Sequence, residues 1–345
     1  MNYNIKTSLV LGFLALLSAC SLAPDADPIG EQERIFETFY NDVRLTYPFF
    51  PIDGVDWDAS YKKYRPQVVA SSADSTLFRI MSQMMTPLMD GHASLQSPSG
   101  QVWSNPKKSI YNPGFNLPLV LTGNRYLNRR DTSGIRRNNV FGGQLADAPG
   151  VLYFYIKSFL TRGSARFIDS SIRAFGVANC KGVVIDVRNN GGGLVVECEQ
   201  VAGLFATQRT LFGYQKLKNG PSIDSYSANE PQYFDPYLSL GFSKAVVLLS
   251  NRYSASASER LRFCLQALPN TYAIGDTSYG ATSPVIDRLL AGKWKYVLVG
   301  SVNTNKEGIL YERKGVPPDL RAISTAGQIR RGVDVALDAA MDRLR

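Results

Sequence analysis

The chain has 345 residues, of which 44% are apolar and 19% charged, proportions that are ordinary for a folded globular protein. Its formal net charge of +9 comes from basic residues spread along the chain, among which no nucleic-acid-binding module is recognisable. The absence of such a module argues against a nucleic-acid partner. The positive charge indicates a solvated basic surface, suited to facing an anionic membrane.

The N-terminal residues are predicted to be a targeting signal, which is set apart from the fold. Lys6 precedes a short apolar run, Leu9 to Leu17, that is too short to span a bilayer. The run ends in Leu-Ser-Ala-Cys, which is similar to a bacterial lipobox, so we expect residues 1–19 to be removed and Cys20 to be lipidated. A secretory signal followed by a chance cysteine is the alternative. Residues 20–30 are predicted to tether the protein flexibly to the bacterial cell envelope, at the outer membrane.

Three further cysteines, Cys180, Cys198 and Cys264, lie within apolar stretches. An odd number cannot form a complete set of disulfides, so buried thiols are predicted, with one disulfide of unassigned pairing as the alternative. No cysteine pair has zinc-ligand spacing and the chain has one histidine, so neither a metal nor another cofactor is expected.

Residues 31–95 are predicted to form a small N-terminal helical domain. Apolar residues recur at helical spacing from Gln32 to Val43 and from Ser75 to Met89. Tyr47-Pro48 is expected to end the first helix, because a residue before proline disfavours the helical conformation. Residues 96–150 are rich in Pro, Gly, Asn and Ser, which predicts a loop-rich linker region.

From residue 151 to 345, apolar runs typical of strands buried on both faces alternate with helical patterns. The predicted strands are Val151–Ile156, Gly182–Val187, Lys244–Ser250, Tyr272–Gly275 and Lys295–Val299, and the predicted helices are Phe167–Val177, Leu194–Phe205 and Ser258–Leu268. This alternation predicts an α/β fold with a mostly parallel sheet and flanking helices.

The single histidine of the chain, His92, stands in an Asp90-Gly91-His92 turn after the second helix. A lone histidine is more often a packed or surface residue than a catalytic one, but a glycine-containing turn argues against a role in the core. Imidazole is also the side chain best suited to accept and return a proton near neutral pH. His92 is therefore a candidate general base.

A glycine-rich turn follows one predicted strand, in the sequence Asp186-Val-Arg-Asn-Asn-Gly191-Gly192-Gly193. Backbone N–H groups in such a turn can approach an anion closely, because no side chain intrudes. A plain strand-to-helix turn is the alternative, and the G-x-G-x-x-G spacing of dinucleotide-binding turns is absent.

A serine cluster, Ser254-Ala-Ser256-Ala257-Ser258-Glu259, lies between a buried strand and an amphipathic helix. The free N–H groups at a helix start favour developing negative charge, which suits a nucleophilic oxygen and an oxyanion hole. The competing interpretation is a capping box, in which Ser256 and Glu259 only satisfy the first helical N–H groups.

In their order and spacing these segments resemble the tail-specific (C-terminal processing) peptidases, tricorn core domains and interphotoreceptor retinoid-binding protein repeats. The resemblance covers most of the mature chain. It also includes Tyr47-Pro-Phe-Phe50, Val55-Asp-Trp57, Gly275-Asp-Thr-Ser-Tyr-Gly280 and Glu312-Arg-Lys-Gly-Val-Pro-Pro-Asp319. It implies a ClpP/crotonase-like α/β peptidase core over residues 151–345, preceded by the small helical domain.

The resemblance implies that Ser256 is the nucleophile and His92 its general base. In the lysine-using branch of the family a lysine follows a G-x-T-x-G segment, and Ala281 occupies that position here. This departure argues against a Ser–Lys dyad and for the Ser–His–Glu branch, with Glu312 as the acid that orients the imidazole. Arg313 replaces a glycine that often follows this acid.

The same resemblance implies an oxyanion hole formed by the N–H of Ala257 and one N–H from Gly191 or Gly192. Ser94 and Glu259 are candidates for supporting hydrogen bonds around the catalytic groups. No metal or cofactor is implied.

The predicted activity is therefore that of a serine peptidase, which hydrolyses peptide or unfolded-protein substrates through an acyl-enzyme. One alternative is a catalytically idle lipoprotein of the same fold that binds a peptide or an apolar ligand, and another is a structural lipoprotein of the envelope. Many relatives carry a PDZ module that binds substrate tails. Residues 96–145 are too short and polar to predict one, so tail specificity is not predicted.

Overall fold

The structure is a computed structural model that describes residues 29–105, 114–122, 125–128, 139–222, 225–238 and 240–345. The predicted signal peptide, the predicted lipidation site Cys20 and most of the tether lie outside the described residues. In the part of the chain that is described, no helix is both long and apolar enough to cross a membrane.

The N-terminal helices pack around a core rich in aromatic residues. They are α1 (Glu31–Thr46), α2 (Phe50–Asp53), α3 (Trp57–Tyr64) and α4 (Asp74–Met85), with 3-10 turns at Arg65–Gln67 and Thr86–Leu88. The two predicted helices correspond to α1 and α4. As predicted, α1 ends before Tyr47-Pro48, where Tyr47 is extended with φ −76° and ψ 119°.

A six-stranded, mostly parallel sheet forms the centre of the α/β part, as predicted. Its order is β13 (Leu320–Arg321), β9 (Thr271–Gly275), β8 (Ala245–Ser250), β5 (Gly182–Asp186), β4 (Val151–Ile156) and β3 (Val140–Gln144). All neighbouring strands are parallel except β3, which runs antiparallel to β4. Asp186 lies opposite Leu249 and Ser250 lies opposite Gly275, so β5, β8 and β9 end at the same edge of the sheet.

Helices cover both faces of this sheet, because strand residues point alternately to either side. The helices are α5 (Leu117–Thr122), α6 (Ser164–Phe175), α7 (Val195–Gly203), α8 (Ala257–Gln266), α9 (Ala326–Arg330) and α10 (Val335–Leu344). Val183 and Ile185 share a buried cluster with side chains of α6, α7 and α8. Val184, between them, belongs to the cluster that contains α10. The result is a three-layer core.

Two small antiparallel sheets connect the N-terminal helices to the α/β part. The first has the order β10 (Val285–Leu289), β11 (Lys295–Val299), β1 (Ser94–Gln96) and β2 (Val102–Ser104). The second has the order β12 (Ser301–Asn305), β6 (Thr210–Leu217) and β7 (Glu230–Phe234). A 3-10 turn at Ala291–Lys293 joins β10 to β11. Trp294 and Tyr296 pack into the same cluster as the N-terminal helices. Of these strands, the sequence predicts only β11.

The three predicted thiols are buried and free, which confirms that part of the sequence analysis. Cys198 and Cys264 lie on α7 and α8, within the core on one face of the central sheet. Burial raises the pKa of the Cys180 thiol to about 11.

Candidate active site

The glycine-rich turn and the serine cluster lie side by side, because β5 and β8 are neighbours that end at the same edge of the sheet. Two hydrogen bonds join the loops: the Ala255 N–H and the Ser258 hydroxyl each donate to the Asn190 carbonyl oxygen at 3.0 Å. The carboxyl edge of a parallel sheet is where ligands commonly bind in α/β proteins. The two segments therefore form one continuous site.

Ser256 has a strained backbone at the start of α8. Its φ of 56° and ψ of −116° lie in a region that residues with a side chain rarely adopt. The Glu259 carboxylate accepts a hydrogen bond from the Ser256 N–H at 3.0 Å, but the Ser256 side chain makes no capping hydrogen bond. The half-buried hydroxyl is therefore not used as a helix cap, which weakens the capping-box interpretation.

The two neighbouring serines hold the loop in place. The Ser254 hydroxyl donates to the Val187 carbonyl oxygen at 2.8 Å, as the Ser258 hydroxyl does to Asn190. Both side chains are buried, and both attach the serine cluster to the glycine-rich turn. Of the three serines, Ser256 is the one whose geometry suits a nucleophile.

Gly192 is where the two loops approach most closely. It has a φ of 102°, and an added Cβ atom would lie 2.7 Å from the Ser256 Cβ atom and 3.0 Å from the Ala257 nitrogen. The Gly192 N–H donates to the Asn190 side chain at 2.8 Å. Because the Gly192 N–H is bonded to Asn190, Gly191 is the remaining candidate donor of the two predicted glycines. A Cβ atom there would meet nothing within 4 Å.

Ala257 is the first residue of α8, where an N–H group has no acceptor within the helix. Backbone donors at a helix start stabilise an oxyanion without reorganisation. The glycine-rich turn approaches this N–H at Gly192, where an added Cβ atom would lie 3.0 Å from the Ala257 nitrogen. The oxyanion role of Ala257, Gly191 and Gly192 stays a prediction.

His92 lies in a tight turn that Asp90 closes. Met89 is left-handed with φ 47°, and the His92 N–H donates to Asp90 Oδ1 at 2.8 Å. The other carboxylate oxygen, Oδ2, accepts from the Val299 N–H of β11 at 2.8 Å. The His92 side chain is 20% exposed, and its Nδ1 atom lies 3.8 Å from Asp90 Oδ1. The imidazole is thus accessible from solvent while its turn is fixed to the sheet.

Residues 278–281, which follow β9, connect the histidine turn to the serine cluster. A Cβ atom on Gly91 would lie 2.9 Å from the Tyr279 ring, so the turn packs directly on that side chain. The Tyr279 N–H in turn donates to the Ser254 carbonyl oxygen at 2.9 Å. His92 and Ser256 therefore belong to loops that contact the same short segment.

Glu259 is a fully buried hydrogen-bond hub. Besides the Ser256 N–H, its carboxylate accepts bonds from the Ser278 hydroxyl at 2.5 Å, the Gly280 N–H at 2.7 Å and the Ala281 N–H at 2.8 Å. Burial nevertheless raises the pKa of this carboxyl. Glu259 therefore fixes the nucleophile turn to residues 278–281, as a supporting residue rather than a proton carrier.

Glu312 is buried beside the same segment. Its carboxylate accepts hydrogen bonds from the Thr282 N–H at 2.8 Å, the Ser283 N–H at 2.9 Å and the Thr282 hydroxyl at 3.1 Å. Burial, reinforced by the nearby carboxylates of Glu259 and Asp90, raises the pKa of Glu312 to about 8. The buried carboxyl groups of Glu312, Glu259 and Asp90 are thus close enough to affect one another's pKa.

The contacts of Arg313 account for an arginine at a position where the family often has glycine. Its φ of 65° is a conformation that glycine adopts at least cost. The guanidinium group donates to the Tyr47 hydroxyl at 2.8 Å and the Leu88 carbonyl oxygen at 3.1 Å, and it forms an ion pair with Asp53. These contacts tie the segment that carries Glu312 to the N-terminal helices.

The sequence analysis did not identify two residues whose hydrogen bonds hold the loops of the site in place, Asp90 and Asn190. An Asp two residues before the N–H that it binds is a recognisable turn signal, so Asp90 could have been found. Asn190 links Gly192, Ala255 and Ser258, which is visible only once the loops are neighbours. Ser94 begins β1, opposite Val297, and its supporting role stays a prediction.

Comparison with protein families gives two matches. The model of peptidase family S41 matches residues 150–322, and that of the tricorn protease C1 domain matches residues 30–86. The first match includes Ser256 and Glu312 and most of the α/β part, and the second includes most of the N-terminal helices; His92 lies outside both.

Solved structures are similar over almost the whole chain. A candidate peptidase from Parabacteroides merdae is 25% identical with a TM-score of 0.75, over 91% of this chain and 96% of that one. The photosystem II D1 C-terminal processing protease is 15% identical with a TM-score of 0.62, over 89% and 99%. A lipoprotein from Streptococcus agalactiae is 15% identical with a TM-score of 0.58, over 92% and 98%. At 15% identity the last two indicate a shared fold.

Proposed function

The chain belongs to peptidase family S41, and from this premise we propose that it hydrolyses peptide bonds through an acyl-enzyme on Ser256, with His92 as general base and Glu312 as the orienting acid. The observation that carries the proposal is the strained Ser256 turn. The turn holds a hydroxyl that makes no capping bond beside the Ala257 N–H, the first of a helix, which has no acceptor within that helix.

The reaction proceeds in two halves. His92 removes the hydroxyl proton of Ser256 while the oxygen attacks the peptide carbonyl carbon, and the N–H groups of Ala257 and Gly191 hold the resulting oxyanion. Collapse breaks the C–N bond, and the imidazolium gives its proton to the leaving amine. The imidazole then takes a proton from a water molecule, whose oxygen attacks the acyl-enzyme. The acid product leaves, and the imidazolium returns the proton to Ser256.

Glu312 acts through the charge of the imidazolium. With a pKa of about 8, its carboxyl group is mostly protonated in the resting enzyme near neutral pH. A cationic imidazolium formed nearby favours the ionised carboxylate. The N–H groups of Thr282 and Ser283, which donate to Glu312, also stabilise that ionised form.

The substrate is a peptide or an unfolded protein segment. Leu160 is 73% exposed, and Leu194 and Val195 are also exposed on the rim of the glycine-rich turn. The Leu194 N–H donates to the Phe159 carbonyl oxygen at 2.8 Å, which holds the two rim segments together. These side chains offer apolar contact to a peptide that reaches Ser256.

The same apolar rim also suits the alternative, an idle protein that binds a peptide or an apolar ligand. A fluorophosphonate probe distinguishes the two functions, because it reacts with an activated serine and not with a binding surface. Labelling of the wild type, absent in Ser256→Ala, together with cleavage of an unfolded protein, supports the peptidase. A folded wild-type protein that binds peptides but neither labels nor cleaves them overturns the triad.

The protein is further proposed to be anchored in the bacterial cell envelope, at the outer membrane, through lipid on Cys20. The support is the sequence alone, namely the short apolar run that ends in Leu-Ser-Ala-Cys. Residues 20–30 would then place the peptidase near the membrane surface, where its net positive charge of +9 favours anionic lipids.

A further inference from the structure

We propose that Asp90 is the positioning residue of His92: its carboxyl group both fixes the histidine turn to the sheet and faces the imidazole. The proposal rests on the function proposed for Ser256 and His92. It assigns to Asp90 a role that is separate from that of Glu312.

The first support is the way in which Asp90 anchors the turn. Its two carboxylate oxygens accept hydrogen bonds from two different elements, the His92 N–H within the turn and the Val299 N–H of β11, both at 2.8 Å. The strand β1, which starts at Ser94, also pairs with β11. Asp90 thus binds the histidine from one side while the β1–β11 ladder holds it from the other.

The second support is the position of the Asp90 carboxyl group relative to the His92 ring. Asp90 Oδ1 lies 3.8 Å from His92 Nδ1, and the Asp90 side chain is buried. The oxygen that accepts from the His92 N–H is also the one that faces the ring, while Oδ2 makes the bond to β11. A buried carboxylate close to an imidazole stabilises the protonated ring, because little water lies between the charges to screen them.

The third support is that the two acids have different contacts. Asp90 accepts hydrogen bonds from the His92 N–H and the Val299 N–H, whereas Glu312 accepts from Thr282 and Ser283. Burial raises the pKa of both carboxyl groups, and the two backbone N–H groups on Asp90 oppose that rise by stabilising its ionised form. Of the two acids, Asp90 is therefore the one bonded to the histidine turn.

The other titratable groups around this site come from three elements. Tyr47 follows α1, Tyr279 belongs to the segment after β9, and Glu312 with Arg313 belongs to the segment before β13. The tyrosines are neutral near pH 7, because burial raises the pKa of both. The Arg313 cation pairs with Asp53. Among these groups, Asp90 is the one that contacts the histidine turn through its carboxylate.

Because the chain contains one histidine, its titration can be followed by NMR without assignment. The test compares the wild-type protein with Asp90→Asn, which keeps the shape of the side chain and removes the charge. We expect the His92 pKa to fall by about 1 unit in the variant. The kcat for a peptide should fall about 10²-fold or more, with KM almost unchanged and the acid limb of kcat/KM moved to lower pH.

The matched control is Asp42→Asn. Asp42 also ties the N-terminal helices to the same sheet, through Arg288 at 3.0 Å and through Tyr296, but it is not part of the histidine turn. The control should lose stability without moving the His92 titration. If Asp90→Asn does not fold, Asp90→Glu restores the charge and should keep a His92 pKa close to that of the wild type.

An unchanged His92 titration in folded Asp90→Asn overturns the proposal and leaves Asp90 as a structural tie. The NMR result does not depend on turnover, so it is separable from the proposed function. If the wild-type protein neither labels nor cleaves, the triad fails, whatever the titration shows. If it cleaves and the titration does not move, the role of Asp90 alone is lost.

Discussion

An alanine methyl group at position 192 would lie 2.7 Å from the Ser256 Cβ atom, a separation that real Cβ atoms do not adopt. Gly192 also has φ 102°, which is unfavourable for any residue with a side chain. Gly192→Ala should therefore displace the nucleophile loop, cost about 1–3 kcal/mol of stability and slow fluorophosphonate labelling at least 10-fold. Thermal unfolding and the labelling rate measure the two effects.

The matched control is Gly191→Ala, because a Cβ atom there meets open space. The variant keeps its backbone N–H, so it should fold and label at close to the wild-type rate. Equal labelling of wild type and Gly192→Ala would show that contact between the two loops does not position the nucleophile.

Ser256 lends itself to a comparison of two inactive variants. Ser256→Ala and Ser256→Gly should both abolish labelling and turnover, because each lacks the hydroxyl. At φ 56° and ψ −116° glycine relieves backbone strain, so Ser256→Gly should be about 1 kcal/mol more stable than Ser256→Ala. Chemical denaturation of both variants gives the difference.

Ser254→Ala and Ser258→Ala provide the controls for that experiment. Ser254→Ala loses two buried hydrogen bonds, to the Val187 carbonyl oxygen and from the Asn251 N–H, and Ser258→Ala loses one. Each bond contributes about 1 kcal/mol, but both variants keep the Ser256 hydroxyl and should still label. Labelling that survives Ser256→Ala and disappears in one of these variants would move the nucleophile to that residue.

The general base can be tested at position 92 and at the position where relatives carry a lysine. His92→Ala should reduce kcat/KM about 10³-fold or more, and the wild-type activity should fall on the acid side with an apparent pKa of about 6–7. Ala281→Lys in that background should not restore the rate. The Ala281 N–H donates to the Glu259 carboxylate, and Glu312 is nearby, so these acids would keep an added amine protonated.

Steady-state rates from pH 5 to pH 10 measure this prediction, with Ala281→Lys alone as the control for disruption of the buried site. Near-wild-type hydrolysis by His92→Ala would place the protein outside the Ser–His–Glu branch.

Glu312 should make folding stability depend on pH. Its folded-state pKa of about 8 lies above the ordinary glutamate value of 4.5, so between these values the folded state keeps a proton that the unfolded chain has lost. This contribution favours folding below pH 4.5 and is lost as the pH rises to about 8, by up to a few kcal/mol. Glu312→Gln should remove that loss, so its stability relative to wild type should rise across this interval.

Denaturant unfolding of both proteins at pH 5 and pH 8 measures the difference. Parallel stability curves for the two proteins would mean that Glu312 is ionised in the resting state, as an ordinary surface carboxylate is.

The lipid anchor is tested by the mature N-terminus. Mass spectrometry of protein extracted from membranes should find an acylated cysteine derived from Cys20 as the first residue. Cys20→Ser should release the protein from the membrane fraction. A mature chain that begins at another residue without lipid removes the basis for the anchor.

The central sheet and its helices could be predicted because their signals are local. Strands such as Gly182–Asp186 are runs of apolar residues, and helices such as Ser164–Phe175 carry their periodicity within a few turns. The strand β1 has three residues, and it exists because β11 and β2 pair with it. No periodicity reveals such a strand, because its partners lie elsewhere in the chain.

The same distinction, between local signals and contacts with distant segments, applies to the candidate site. Motif resemblance indicated Ser256, His92 and Glu312 as residues, but not the hydrogen bonds that hold them. The use of the Gly192 N–H by Asn190, and the attachment of Asp90 to β11, depend on loops that meet only after folding. Side-chain bonds to distant backbone groups leave no pattern in a single sequence.

The pairing of β1 with β11 bears on when the enzyme becomes active. Ser94, two residues beyond His92, lies opposite Val297, and the acid at Glu312 comes later still. Synthesis begins at the N-terminus, so the proposed base emerges long before the strand that supports it. A chain still on the ribosome, or threaded unfolded through a membrane, therefore holds a histidine with no site around it. The proposed base, nucleophile and acid can therefore come together only once the chain has been made as far as Glu312 and has folded.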